Sequence, residues 1–314
     1  MKNSKSVFTK ISHCEPSFLG EATLPHRPER LCRRHPFGRL LAITIIIFQF
    51  FTIGCEDIIT VDLNTTDPTI VIEATITDDN SASSVTITKS TDFYTPGVYP
   101  TVSDAEILVN DSEGNSYKFN EISDGVYENS TITGKSNVEY SIEVISEGKT
   151  YDAISTIPNR IIIDSLSLEK AINRPVGKDA ERFTLHVYFQ DQLGIDDYCR
   201  FKLFSNQNQL GGFTLYSDKF TDGNYIDFRM NLNTESDDIN IGDNITVELM
   251  SIDKAAFDYF KTANSVNASE SDGRGPSSTS AAPANPVTNW SNKALGYFSA
   301  YAISSSSIEL KEIK

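Results

Sequence analysis

Apolar and polar residues alternate along "TIVIEATIT" (Thr69–Thr77) and "SSVTITKST" (Ser83–Thr91), and most of the apolar ones are β-branched. Successive side chains of a strand point to opposite faces, so a period of two buries one face and wets the other. The pattern recurs in "AEILVND" and "SYKFNEI", which flank the turn Ser112-Glu113-Gly114-Asn115, and in "VEYSIEVIS" and "KTYDAISTIP", which flank Glu147-Gly148. Glycine supplies the positive φ that such hairpin turns require. Strands arriving every 8 to 15 residues between turn signals predict an all-β chain whose residues 69–158 form an immunoglobulin-like β-sandwich.

Residues 159–314 read as a second β-rich domain. Its candidate strands are "IIIDSLSLEK", "RFTLHVYFQ", "YCRFKLFSN", "GGFTLYSDK", "NYIDFRMNL" and "NITVELMSI". One segment changes period. In "DKAAFDYFKTAN", Ala256, Phe257, Phe260 and Ala263 recur at helical spacing behind Asp253, a good N-cap, so one α-helix is expected over 254–265. Residues 266–289, rich in Ser, Ala, Asn, Gly and Pro, then read as a long loop. Trp290 at its end is expected to pack that loop down, and "KALGYFSAYAISSSSIEL" reads as two short strands.

Ahead of all this stands an apolar run, Leu40–Ile53, 14 residues broken only by Thr44, Gln49 and Thr52. A spanning helix needs about 20 apolar residues. The run instead suits the apolar core of a signal peptide, preceded by the basic "RLCRRHPFGR". The "TIG" before Cys55 resembles a bacterial lipobox, with Thr52 where leucine is usual. Residues 1–54 are therefore expected to be a lipoprotein signal peptide, and Cys55 the acylated (palmitate-type) new N-terminus. An ordinary secretory signal with a chance cysteine, or a buried core helix, is the alternative. The 39 residues ahead of Leu40 are long and polar for a leader, and a later start would leave the processed chain unchanged. Residues 55–68 form a short acidic stem.

Residues 55–314 keep 19 of the 27 Lys/Arg and 40 of the 43 Asp/Glu, a net charge of −21. A phosphate backbone is repelled by such a chain, so nucleic acid is excluded as a partner. Electrostatic attachment to an anionic membrane fails for the same reason, which leaves acyl chains to hold it. Each buried CH₂ contributes about 0.8 kcal/mol, and more than one chain is needed for a lasting hold. Cys14 and Cys32 leave with the leader and Cys55 is acylated, so Cys199 has no partner for an intrachain disulfide.

Catalytic patterns are thin. His13, His26 and His35 lie in the leader, leaving His186, which reads as a half-exposed strand residue sharing a face with Thr184 and Tyr188. No G-x-S-x-G elbow appears, no close ligand pair suggests zinc, and "GRGP" and "LGGF" lack phosphate-loop spacing. Cys199 reads as a small buried hydrophobe. The acids of "NTESDDINIGDN" (Asn233–Asn244) could hold calcium, but Ile239 and Ile241 interrupt them, and a solvated hairpin turn is the plainer reading. No cofactor, no metal and no catalytic residue is assigned.

Two surface features carry candidate contacts. Phe93, Tyr94 and Tyr99 lie on the turn "DFYTPGVYP", where aromatics could meet a partner or a sugar, or fold back as a lid on the core. Asp164-Ser165-Leu166 matches a short O-glycosylation signal at Ser165, or is plain strand.

Taken together, "CEDIITVDL", "IVIEATITD", "VTITKSTDFYTPGVYPTVSDAEILVND", "GKTYDAISTIP" with "IDSLSLE", "PANPVTN" and "ALGYFSAYAIS" resemble the DUF4249 family. These are outer-membrane lipoproteins of Bacteroidota-type bacteria. The resemblance implies a lipid-anchored accessory partner of a TonB-dependent receptor, and it carries no catalytic motif. Glu56-Asp57 also resembles the acidic signal that sends such lipoproteins to the cell surface. The expected function is a non-catalytic subunit aiding ligand capture by a TonB-dependent transporter. The alternative is a free-standing adhesion or structural module.

Overall fold

The computed structural model describes residues 67–79, 81–91, 97, 99–171, 181–234, 237–271 and 285–311, with backbone alone for 265–271. The signal segment, Cys55, the stem up to residue 66, and Phe93 and Tyr94 lie outside the described residues.

Seven strands follow the first alternating segments: β1 (Ile70–Thr77), β2 (Ser83–Lys89), β3 (Glu106–Asp111), β4 (Ser116–Ser123), β5 (Val126–Asn129), β6 (Glu139–Ser146) and β7 (Lys149–Thr156). Their order is β1-β2-β5-β4-β3-β6-β7, with every neighbouring pair antiparallel. That is the immunoglobulin arrangement, four strands leading to three, with β4 shared at the fold-over. One core receives side chains from both ends of the path, among them Ile72, Ile87 and Tyr127 from one and Val109, Tyr140 and Val144 from the other. Tyr140, near the start of β6, accepts a hydrogen bond from Lys135 N–H at 2.9 Å. This is the tyrosine corner of such sandwiches. At the β6–β7 turn Glu147 and Gly148 have φ of +50° and +73°, as a two-residue I′ hairpin demands.

The second set comprises β8 (Ile163–Lys170), β9 (Arg182–Gln190), β10 (Tyr198–Ser205), β11 (Asn208–Gln209), β12 (Thr214–Ser217), β13 (Tyr225–Asn233), β14 (Asn244–Ile252) and β15 (Leu295–Glu309). A three-stranded sheet, β13-β9-β8, covers β10, β14 and the end of β15. Phe183, Leu185, Val187 and Phe189 of β9 meet Phe201, Val247 and Leu249 across the core. Cys199 is fully buried there as a free thiol, and burial pushes its pKa well above the usual range.

Three expectations are corrected. The chain end is one 15-residue strand, not two short ones, because nothing after Gly296 interrupts the extended backbone and "ISSSS" finds partners on β14. That strand also crosses the boundary expected at 158/159. Its first half pairs in parallel with β1 and its second half antiparallel with β14. Phe298, Ala300 and Ala302 therefore belong to the first core, where β15 covers the edge that β1 would otherwise expose. Gly296 permits the crossing: its φ is +93°, and a Cβ there would lie 2.1 Å from the Ile72 carbonyl oxygen.

The helix is the third. α1 runs Lys254–Ser271 rather than stopping near 265, so residues 266–271, expected as loop, are helical. No glycine or proline occurs before Gly273 to end it. Asp253 caps it as expected, its Oδ1 accepting from Ala256 N–H at 2.8 Å. Ala256 and Phe260 then pack on Met250 and Ile252. The guanidinium of Arg200 lies 3.9 Å from the Phe260 ring centre and 4.6 Å from that of Phe213, and burial holds its pKa below the usual arginine range. Trp290 packs into the first core, donating Nε1–H to the Ile72 carbonyl at 2.9 Å.

Candidate functional site

Of the contact residues expected from sequence, Tyr99 is described, and it is 60% exposed just ahead of the bridge between Thr101 and Thr88. Ser165 is exposed at an irregularity where the β8–β9 register slips, a position an enzyme could reach. Cys55, Phe93 and Tyr94 lie outside the described residues. The two described positions lie on separate elements, Tyr99 ahead of β3 and Ser165 on β8.

A constellation does form on the outer face of the three-stranded sheet, around His186. Register places Arg229 opposite His186 and Asp227 opposite Tyr188, while Ser167 flanks His186 from β8. His186 Nδ1 lies 2.7 Å from Asp227 Oδ1, and Nε2 lies 3.5 Å from Glu169 Oε2. Arg229 grips the other Asp227 oxygen through Nε and Nη2 at 3.0 and 2.8 Å. This hydrogen bond, joined by that of His186, outweighs desolvation and holds the Asp227 carboxyl below its ordinary range. The expectation of a half-exposed His186 is corrected: the residue is only 7% exposed. It does point to the outer face, but Tyr188, Glu169 and Asp227 close over it.

Chemically, a histidine whose two nitrogens face two carboxylates is held in place. A nucleophile-activating base needs one nitrogen directed at a hydroxyl or thiol. The nearby Ser167 Oγ instead faces Tyr188 Oη at 3.4 Å. Parallel rings extend the face: His186 and Tyr188 are 6.0 Å apart, and Tyr188 and Tyr225 6.3 Å, with Tyr225 more than half exposed. A recess of about 290 Å³ adjoins this sheet, walled by Leu203, Leu210, Met230 and Leu232 with Arg229 and Asp237 on its polar side. Flat rings beside charged groups suit binding of a polar ligand.

A second constellation was not legible in sequence. The loop after β9 and the loop before β13 bring Asp191, Asp197 and Asp218 together, each at most 4% exposed, with exposed Asp222 beside them. Burial first, then the charges of Asp191, Asp218 and Asp222, push the Asp197 pKa up to about 6. Asp191 is raised for the same reasons, partly offset by the Gly223 N–H. Around these acids the loops carry the most exposed large apolar side chains, Leu193 at 79% and Phe220 at 89%. The described acids of 233–244, by contrast, lie on the connection from β13 to β14, strands of different sheets, so the expected hairpin is corrected: Asp243 accepts from Asn240 N–H and Asn206 Nδ2–H, and Ile239 tucks into the core.

Strand order, tyrosine corner and shared closing strand define an all-β protein of immunoglobulin-like sandwich architecture. The chain belongs to the family described as Domain of unknown function (DUF4249), whose model matches residues 56–307. No match is found among curated proteins. Among solved structures, a segment of two fibronectin type-III domains from chicken tenascin is similar at 11% identity. That likeness covers 59% of this chain and 91% of that one at a TM-score of 0.20, too loose an overlap to bear on the fold. No helix among the described residues is long and apolar enough to cross a membrane.

Proposed function

We propose that this chain is a non-catalytic, lipid-anchored outer-membrane lipoprotein that serves as an accessory subunit of a TonB-dependent transporter and helps to capture its ligand. One observation carries the reading. The family match opens at residue 56, directly after the cysteine where the apolar run and the small-residue step end. The shared domain thus begins where an acylated N-terminus would. Acyl chains supply the attachment that a chain of net −21 cannot find electrostatically. The non-catalytic half of the reading draws on His186, held between carboxylates, and on the buried Cys199 thiol. Ligand capture draws on the Tyr225–Tyr188–His186 strip and on the separate recess beside Arg229.

The test is growth on a transporter-dependent nutrient source in strains carrying Cys55→Ser, a deleted receptor, or both. The reading expects Cys55→Ser to lose alkyne-palmitate labelling, to impair growth, and to add nothing to the receptor deletion. Unchanged labelling, or full growth with the unanchored chain, would contradict it. The exposed Tyr99 and Phe220 favour a second reading, a free-standing adhesion module. Cell attachment that persists without the receptor and falls with Tyr99→Ser and Phe220→Ser would support that one instead.

A further inference from the structure

The acidic loop pair is unlike an ordinary solvated cluster. Carboxylate oxygens of Asp191, Asp218 and Asp222 all lie within 4.8 Å of one another. Asp191 and Asp218 are 2% and 4% exposed. None of the three, nor Asp197, has a salt-bridge partner among the described residues. Asp222 Oδ1 accepts from Gly194 N–H at 2.7 Å, and Asp191 Oδ2 from Gly223 N–H at 2.8 Å, so each loop lends a backbone donor to the other. The remaining Asp191 oxygen, Oδ1, is buried with no hydrogen-bond partner among the described residues. A buried carboxylate oxygen without a donor, on a residue clustered with two further carboxylates, is costly to keep unless something positive sits beside it.

We propose that Asp191, Asp218 and Asp222 bind a divalent cation of the calcium class, which ties the loop between β9 and β10 to the loop between β12 and β13. The donors are all oxygens, which selects a hard cation over zinc or copper. They come from two separate loops rather than one rigid frame. Calcium accepts such irregular shells at about 2.3–2.6 Å, whereas magnesium demands a near-octahedral one and keeps its waters. Backbone carbonyls or water would complete the shell. The cation would also fix the base of the loops that display Leu193 and Phe220. The inference stands independently of the transport reading.

The experiment is calorimetric titration of CaCl₂ into the detergent-solubilised full chain after chelator treatment, with melting curves in parallel. One saturable site is expected, with a Kd of about 10⁻³ M or tighter, as for extracellular calcium modules, and a rise in Tm on saturation. Asp222→Asn, at the exposed member, should weaken binding about tenfold or more, since it removes one of three charged ligands. Asp124→Asn, an exposed acid of the first sandwich, should bind as the parent does. Asp218→Asn should abolish the site; if that variant does not fold, Asp222→Asn decides alone. Absence of both heat and Tm shift would overturn the proposal, as would equal weakening by Asp124→Asn. Magnesium binding as tight as calcium would overturn the calcium assignment.

Discussion

Asp253 joins the helix to the first sandwich, and removing it measures that joint. Its Oδ1 caps α1 through Ala256 N–H, while its Oδ2 accepts from Ser155 Oγ–H at 2.5 Å and Thr156 N–H at 3.2 Å on β7. Ser155 Oγ in turn accepts from Ala300 N–H of β15 at 2.8 Å. Asp253→Ala loses the cap, about 1 kcal/mol. It also loses two hydrogen bonds to an ionised group, each worth about 1.5–3 kcal/mol when fully buried. The joint is only part-buried and its contacts share one carboxylate, so the sum is discounted to about 3 kcal/mol. That is a large fraction of the roughly 5–15 kcal/mol that holds a domain folded. Urea denaturation followed by Trp290 fluorescence and far-ultraviolet circular dichroism would read it. The two probes should move together, since β15 serves both cores. A cycle with Ser155→Ala should show about 1 kcal/mol or more of coupling. A cost under about 0.5 kcal/mol, or additive single effects, would refute the reasoning.

Further outcomes follow from single contacts. Gly296→Ala should cost about 3 kcal/mol or more, because the added Cβ meets the Ile72 carbonyl and φ is positive; near-parental Tm would contradict this. Asp227→Ala should destabilise by about 1–3 kcal/mol by leaving His186 Nδ1 without its partner; melting curves check it, and no change would mean the ring relaxes freely. Asp111 folds the β3–β4 turn around its carboxylate. Burial raises its pKa, but hydrogen bonds from Asn115, Tyr117 and Glu113 together leave it below the ordinary value. Stability from a depressed carboxylate is present above its unfolded pKa of 3.8 and lost as pH falls through the lower folded value. Asp111→Asn should therefore lower Tm at neutral pH and flatten its decline below pH 3.8, read from Tm against pH.

Alternation carried most of the fold, because one face of a strand is buried and the other wetter, as in β1, β3 and β6. It could not show β5, whose four residues are too few for a period, nor the reach of β15, whose serine run has no apolar rhythm. The helix end was missed because the helical apolar spacing stops at Ala263, although no breaker occurs before Gly273. The Asp253 cap was legible, being local. Its grip on Ser155 was not, since that contact spans 98 positions. His186 gave its face but not its burial, which neighbours on β8 and β13 decide. The acids at 191, 218 and 222 sit on loops that carry no motif, and only the pairing of β9 with β13 and of β10 with β12 sets them side by side.

Association with a transporter through a lipid anchor is the proposal on which the functional reading leans. Its most direct test is a crosslinked affinity pull-down of the tagged chain from native outer membranes, with protein identification by mass spectrometry. The account predicts stoichiometric recovery of a TonB-dependent receptor, lost with Cys55→Ser. Recovery of the chain alone from an intact outer-membrane fraction would contradict it.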